Sequence, residues 1–236
     1  RFGFEEGTPG LPLRLNSGET LTLRGTIDRV DTAVVREGSY LRVVDYKTGN
    51  AVLSAPDLAA GAQLQLLLYL KAALNLFHGH LAGGAFYQPL ADPVVRAQNE
   101  QEARKKAQTQ LRLNGVMLSD PAVIRLMDSG EPPVSLPGYL NKSGEAKDSD
   151  RLVSQAGIER LMALAEKKAK SLAEDIYSGA ITRSPLVRAS GRAECAFCEY
   201  QGVCRQDQLS REKLIRRFPK VSFSDLSGEG AKPGAE

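Results

Sequence analysis

A sheet covered by helix, in an α/β or α+β domain, is the fold class the sequence predicts, and three observations predict it. Two short runs have strand character, TLTLRGTIDRVD from Thr20 and YLRVVDYK from Tyr40. An apolar stripe at helical spacing follows them, and GGAFYQPL from Gly83 is strand-like again. Strand, strand, helix, strand is an order that lays a helix across one face of a sheet. The 236 residues, 42% hydrophobic and 25% charged, are an ordinary globular composition, enough for one large domain or two small ones.

Each element has its own signal. Leu21, Leu23, Gly25 and Ile27 alternate with Thr22, Arg24, Thr26 and Asp28, and a period of two means strand. A polar turn at Glu37, Gly38 and Ser39 joins this run to the second, which makes a hairpin. After a loop with Gly49, Asn50 and Pro56, the residues Leu64, Leu67, Leu68, Leu74 and Phe77 recur at three and four, which predicts one helix from Pro56 to Phe77 with Gly79 beyond it. Residues 92–150 are rich in Gln, Lys, Asp, Gly and Pro and show one helical patch, Glu100 to Leu113; they read as an excursion from the core. Ile158, Leu161, Met162, Ala165, Ala169, Leu172 and Ile176 form a second helical stripe that ends at Gly179. The tail SGEGAKPGAE has a disordered composition. The expected division is a core at 1–91, an insertion at 92–150, a helix and cysteine segment at 151–222 and a tail at 223–236.

Composition narrows the function classes. No run approaches the roughly 18 apolar residues of a membrane span, and no basic-then-apolar leader is present, so a cytoplasmic protein is the expectation. The chain opens at Arg1, close to strand-like sequence, as a piece of a longer polypeptide would. A formal charge of +3 does not itself imply a nucleic-acid partner. The basic stretch Arg211, Lys213, Arg216, Arg217 and Lys220 reads first as a solvated helix face or tail. No GxxxxGK[ST] phosphate loop occurs, so these residues carry no ATP motor.

The residues that carry chemistry sit at the strand ends. Asp45 and Lys47 are two apart and project from the same face of their strand, with Asp28 on the strand expected beside it. Two carboxylates offer hard oxygen ligands for magnesium or manganese, which can polarise a phosphodiester and generate hydroxide at neutral pH. A lysine beside the metal can position the attacking water and offset charge on the phosphate. Asp31 reads as a turn or ion-pairing residue.

GTIDRVD, VVDYKTG and QLQLLLY together resemble the RecB-like branch of the PD-(D/E)xK nucleases. The resemblance implies a restriction-endonuclease-like core, a central mixed sheet flanked by helices. It implies Asp28 and Asp45 as metal carboxylates, the Tyr46 carbonyl as a further ligand and Lys47 as the catalytic lysine. The family's QxxxY helix motif falls on Gln65 and Tyr69, four apart and so on one helix face. The family also carries a His or Glu on a helix before the first strand. Glu5 and Glu6 are its candidates here, and an upstream segment is the other place for it.

Cys195, Cys198 and Cys204 give C-x2-C-x5-C and are the three cysteines of the chain. In a cytoplasmic setting this argues against disulfides and for a metal, and zinc with His78 or His80 as fourth ligand is one arrangement. The alternative for FHGH is that it ends a helix. The order of nuclease motifs and cysteines is similar to the C-terminal domain of AddB-type subunits of AddAB helicase-nucleases, whose three thiolates join a remote upstream cysteine around a 4Fe-4S cluster. That fourth cysteine is absent from these residues. The resemblance implies double-strand DNA ends and single strands as substrates, degradation of the strand ending 5′, a role in recombinational repair of double-strand breaks, and an AddA-type partner in a heterodimer. A CRISPR-adaptation nuclease and a non-catalytic DNA-end-binding module are the alternatives.

Overall fold

The computed structural model describes residues 1–35, 38–49, 51–187, 195, 198–205 and 215–229. Its centre is a five-stranded mixed sheet. Strand β1 (Leu11–Arg14) pairs antiparallel with β2 (Thr20–Leu23) in a separate ribbon. The main sheet is built from β3 (Arg29–Val35), β4 (Gly38–Lys47), β5 (His80–Pro89), β6 (Asn114–Leu118) and β7 (Leu152–Val153), lying side by side in that order. Pairing alternates along it: β3 with β4 antiparallel, β4 with β5 parallel, β5 with β6 antiparallel, β6 with β7 parallel.

The parallel step from β4 to β5 is made by α1 (Ala55–Ala60) and α2 (Gln65–Leu76). The single helix expected from Pro56 to Phe77 is therefore two. Gly61 adopts φ +85°, a left-handed conformation that ends α1, and the chain restarts at Gln65. The strand expected from Thr20 to Asp31 is likewise broken. At Gly25 the chain bridges to Phe2 instead of continuing the ladder, and a Cβ there would stand 2.7 Å from the Phe2 ring and 2.9 Å from the Tyr69 ring. Asp28 thus lies just before β3, not on a strand.

The stretch 92–150 is not outside the core. It begins with α3 (Glu100–Gln110), which buries no residue, and then supplies β6 to the interior of the sheet, with Val116 and Met117 fully buried. A five-residue strand is too short for its periodicity to show in sequence. Next come α4 (Pro121–Met127), capped by Asp120, and a loop that seats Leu136 and Tyr139, with Ile124 of α4, on the face of the sheet carrying Val44, Phe86 and Met117.

The other face is covered by α2 and by α5 (Gln155–Tyr177), joined by the Lys71–Glu166 ion pair. Ser154 caps α5, and Ile158, Leu161, Met162 and Ala165 sit in the core. The stripe outruns the sheet, leaving Ile176 79% exposed. Beyond it, β8 (Leu186–Val187) pairs parallel with β9 (Arg216–Arg217), and α6 (Gln201–Cys204) lies between them in the chain. Arg216 and Arg217 therefore belong to a short exposed strand; Arg211 and Lys213 lie outside the described residues.

The tail expected to be disordered from 223 begins instead with α7 (Phe223–Ser227), whose Ser222–Asp225 capping box and buried Phe223 dock it on α5. Residues 230–236 lie outside the described residues. Among the described residues, no helix is long and apolar enough to cross a membrane.

Candidate active site

Strand β4 delivers two side chains to the mouth between the sheet and α2. Asp45 is buried, 4% exposed, and Lys47, two residues on and hence on the same face, places Nζ 2.5 Å from Asp45 Oδ2. The Lys47 ammonium donates to Gln65 Oε1 at 3.3 Å, and Gln65 Nε2 in turn donates to the Tyr69 hydroxyl at 2.9 Å. Gln65 and Tyr69 stand one turn apart on α2, and the Tyr69 ring is fixed edge-on against Phe2 at 5.8 Å, above the bare Cα of Gly25. The glycine of GTIDRVD thus gives the tyrosine of QLQLLLY its place.

Asp28 arrives by another route. Its Oδ2 accepts the backbone N–H of Tyr46 at 2.9 Å, which anchors the carboxylate against the peptide that follows Asp45. Five of the residues named from sequence, Asp28, Asp45, Lys47, Gln65 and Tyr69, therefore stand in one connected set, with the Tyr46 peptide between the two acids.

A residue that sequence reasoning missed completes the floor. Tyr87 of β5 lies in register with Asp45, and its ring is 5.3 Å below the Lys47 ammonium, a cation–π distance. Burial pushes the Tyr87 phenol up to about 12, with Asp45 and Asp57 adding to the effect, so it stays neutral at ordinary pH. Asp57, in the first turn of α1, is a second buried acid near the site. Its signal was the N-terminal helix pattern SAPD, which explains the acid through the helix dipole and hides any other part it plays.

The donor set fits a hard cation. Asp45 Oδ2 is closed off from solvent and receives no well-directed hydrogen bond, although Lys47 is its counter-charge. Lysine alone leaves the acids in excess. Two carboxylates with a neighbouring peptide carbonyl are ligands that magnesium or manganese accepts, the remaining positions falling to water and phosphate oxygens. Among the described residues no group of three or more His, Cys, Asp or Glu side chains is placed to hold a metal. Glu5 and Glu6 are exposed in the turn after Phe2.

The loop leaving Lys47 is clamped from the far side of the sheet. The Leu53 N–H donates to Asn114 Oδ1 at 2.8 Å, and its carbonyl accepts Arg151 Nη1 at 2.7 Å. Arg151 is itself held over the Phe223 ring at 4.9 Å, and burial lowers its pKa.

The cysteines lie elsewhere. Cys198 N–H donates to the Cys195 carbonyl at 2.9 Å, Gln201 donates to the same carbonyl, and Arg183 donates to the Cys204 carbonyl at 2.7 Å. None of the three is in a disulfide. A four-thiolate cluster does not fit the three cysteines of this chain by themselves. His80 stacks edge-on with Phe77 and shares a hydrogen bond with its carbonyl at 3.1 Å, a helix-end arrangement.

Residues 1–205 match the PD-(D/E)XK nuclease superfamily. The chain is 34% identical over 226 residues to the B subunit of the ATP-dependent helicase/deoxyribonuclease of Caldanaerobacter subterraneus subsp. tengcongensis, covering 92% of this chain and 19% of that one. It is 32% identical over 225 residues to the protein of the same name from Acetivibrio thermocellus, covering 91% and 20%. The corresponding protein of Desulforudis audaxviator is 33% identical over 236 residues, covering 95% and 20%. The chain thus spans about a fifth of the length of the curated relatives it matches.

Proposed function

The chain belongs to the PD-(D/E)XK nuclease superfamily, and from that premise we propose that it is a metal-dependent deoxyribonuclease domain of a helicase-nuclease complex. The observation that carries the proposal is the connected set Asp45–Lys47–Gln65–Tyr69, with Asp28 bonded to the peptide beside it. Asp28, Asp45 and the Tyr46 carbonyl would hold magnesium or manganese, which when bound polarises the scissile phosphate and makes a water acidic enough to serve as nucleophile.

The chain's own residues do the rest. Lys47 orients the attacking water and offsets the negative charge that grows on the phosphate. Asp45, Gln65 and the Tyr87 ring confine its ammonium to that task, and Tyr69 locks Gln65. A site whose donors are fixed before substrate arrives needs little reorganisation during the reaction.

Relatives named as the B subunit of an ATP-dependent helicase/deoxyribonuclease support the finer reading. In it the domain trims the 5′-ended strand at DNA double-strand breaks for recombinational repair, in the cytoplasm and in a heterodimer with an AddA-type motor protein. Cys195, Cys198 and Cys204 would join a cysteine from outside these residues around a 4Fe-4S cluster.

Digestion of end-labelled linear DNA tests the core of this. Wild type is expected to cleave with magnesium, stop with EDTA and resume on adding magnesium back, while Asp45→Ala binds DNA yet loses cleavage by orders of magnitude. Cleavage by Asp45→Ala within about tenfold of wild type, roughly 1.4 kcal/mol of barrier, overturns the assignment. DNA binding with no cleavage by wild type favours a non-catalytic DNA-end-binding module.

A further inference from the structure

A second cationic feature lies on the opposite face of β4 from Asp45. Asp31, on the edge strand β3, accepts Arg29 Nε at 2.7 Å on one oxygen and Arg42 Nε at 2.8 Å on the other. Two guanidinium groups thus share one carboxylate, and the trio keeps a net positive charge. The Arg29 pKa is raised by its bond to Asp31 and then by the neighbouring Tyr46 phenol, and a guanidinium group is in any case a permanent cation.

Beside the trio is a cleft of about 310 Å³, lined further by Tyr40, Val123, Leu126 and Met127. Arg42 lines this cleft too, and its Nη1 is buried without an acceptor. A buried donor on a permanent cation that lacks an acceptor is costly, and native proteins seldom leave one so.

The place matters as much as the charge. Arg29 follows Asp28 directly and lies beside Tyr46, at the end of the edge strand next to the candidate centre. Asp31 is two residues further along β3 than Arg29, about 7 Å at 3.3 Å per residue. A nucleic-acid strand leaving the Asp28–Asp45 centre round the start of β3 meets Arg29 first and the cleft next.

The geometry points to this cleft as a binding site for a backbone phosphate of the DNA strand engaged by the nuclease centre, an inference that rests on the function proposed above. The guanidinium planes match phosphate oxygens, Asp31 anchors both forks through Nε, and the phosphate supplies Arg42 Nη1 with its missing acceptor after a small swing about that anchor. The contact is independent of base sequence and sets the grip on the strand, not the chemistry.

Salt-dependent binding of a labelled single-stranded oligonucleotide to the 236-residue chain, with calcium replacing magnesium, tests it. Arg42→Gln is expected to weaken binding and reduce the slope of log K against log salt by about 0.7, one phosphate's worth for a single strand, while Arg42→Lys keeps most of the slope. Asp31→Asn removes the competing anion and is expected to tighten binding at low salt. Leu126→Glu, which puts a negative charge at the mouth without touching the trio, is expected to weaken it, and covers the case in which Arg42→Gln fails to fold. A purely structural ion pair gives unchanged slopes for Arg42→Gln and Leu126→Glu and no tightening for Asp31→Asn; that result, with magnesium-dependent cleavage by wild type intact, overturns the phosphate site alone. Loss of wild-type cleavage would instead fell the nuclease reading on which it rests.

Discussion

The candidate centre and the cysteine segment are built by different means. Asp45 and Lys47 stand at the end of β4, where it is paired with β5, under a helix whose Leu66, Leu67, Leu70 and Ala73 are fully buried, and Lys47 is tied to Gln65 of that helix. Cys195, Cys198 and Cys204 lie near a pair of two-residue strands, and their turn carries exposed Tyr200 and Val203. Among the described residues the Cys195 carbonyl accepts from Cys198 and Gln201 within the same turn, and Arg183 reaches the Cys204 carbonyl from further off. A catalytic group must be held in place before substrate arrives, so it is set in the part that resists deformation. Thiolates that bind a metal receive their order from the bonds they make, and metal binding then becomes part of folding.

The strongest way to break this contrast is to hollow out the support of the centre. Leu70→Ala is expected to cost about 2–5 kcal/mol, the ordinary range for a buried leucine, and to lower cleavage as the α2 platform loosens. Urea unfolding measures the first, and a loss below about 1 kcal/mol would show that the centre does not depend on this packing.

A smaller effect is expected with pH at the edge of the same region. The two arginines hold the Asp31 carboxyl below its ordinary value, against the opposing effect of burial. A folded-state pKa that is depressed gives stability present above the unfolded value, near 3.9, and lost as pH falls through the folded one. Wild type should therefore lose up to about 1 kcal/mol more than Asp31→Asn between about pH 5 and pH 2. Parallel unfolding curves across that range would remove Asp31 from the account.

The smallest change is expected in the cysteine segment. Cys198→Ala in this chain should alter stability by no more than about 0.5 kcal/mol, as exposed positions usually do, and leave magnesium-dependent cleavage of linear DNA unchanged. A drop above about 1.5 kcal/mol would mean that the segment is already integral to the fold and would erase the contrast.

What could be read in sequence followed the length of the pattern. The alternation through β4, the long apolar stripe of α5 and the spacing of Asp45 to Lys47 and Gln65 to Tyr69 are local regularities, and geometry follows from them directly. The break at Gly25 could not be read, because it is made by Phe2, 23 positions before, and by the ring of Tyr69, 44 positions further along. Residues 92–150 mislead because five residues in β6 are diluted by an exposed α3 on one side and an irregular loop on the other. Tyr87 and Asp57 escape for a related reason: each is ordinary in its own segment and becomes unusual only where β5 and α1 meet β4. The helix in the tail depends on Phe223 finding α5, a contact that composition does not report.

The exposed α3 has a consequence for engineering. Tyr87 and Asn114 face each other across β5 and β6, and Gln88 already bonds the Leu111 carbonyl at 2.7 Å, so the two ends of this connection are close without the helix between them. A short turn could replace it, and each halving of the connection would return about 0.6 kcal/mol of loop-closure entropy. Cutting a few residues further would be a different operation, because Asn114 grips Leu53 in the loop that follows Lys47. The boundary between what can be trimmed from this domain and what its chemistry requires therefore falls inside one uninterrupted hydrophilic stretch, a few positions after Gln110.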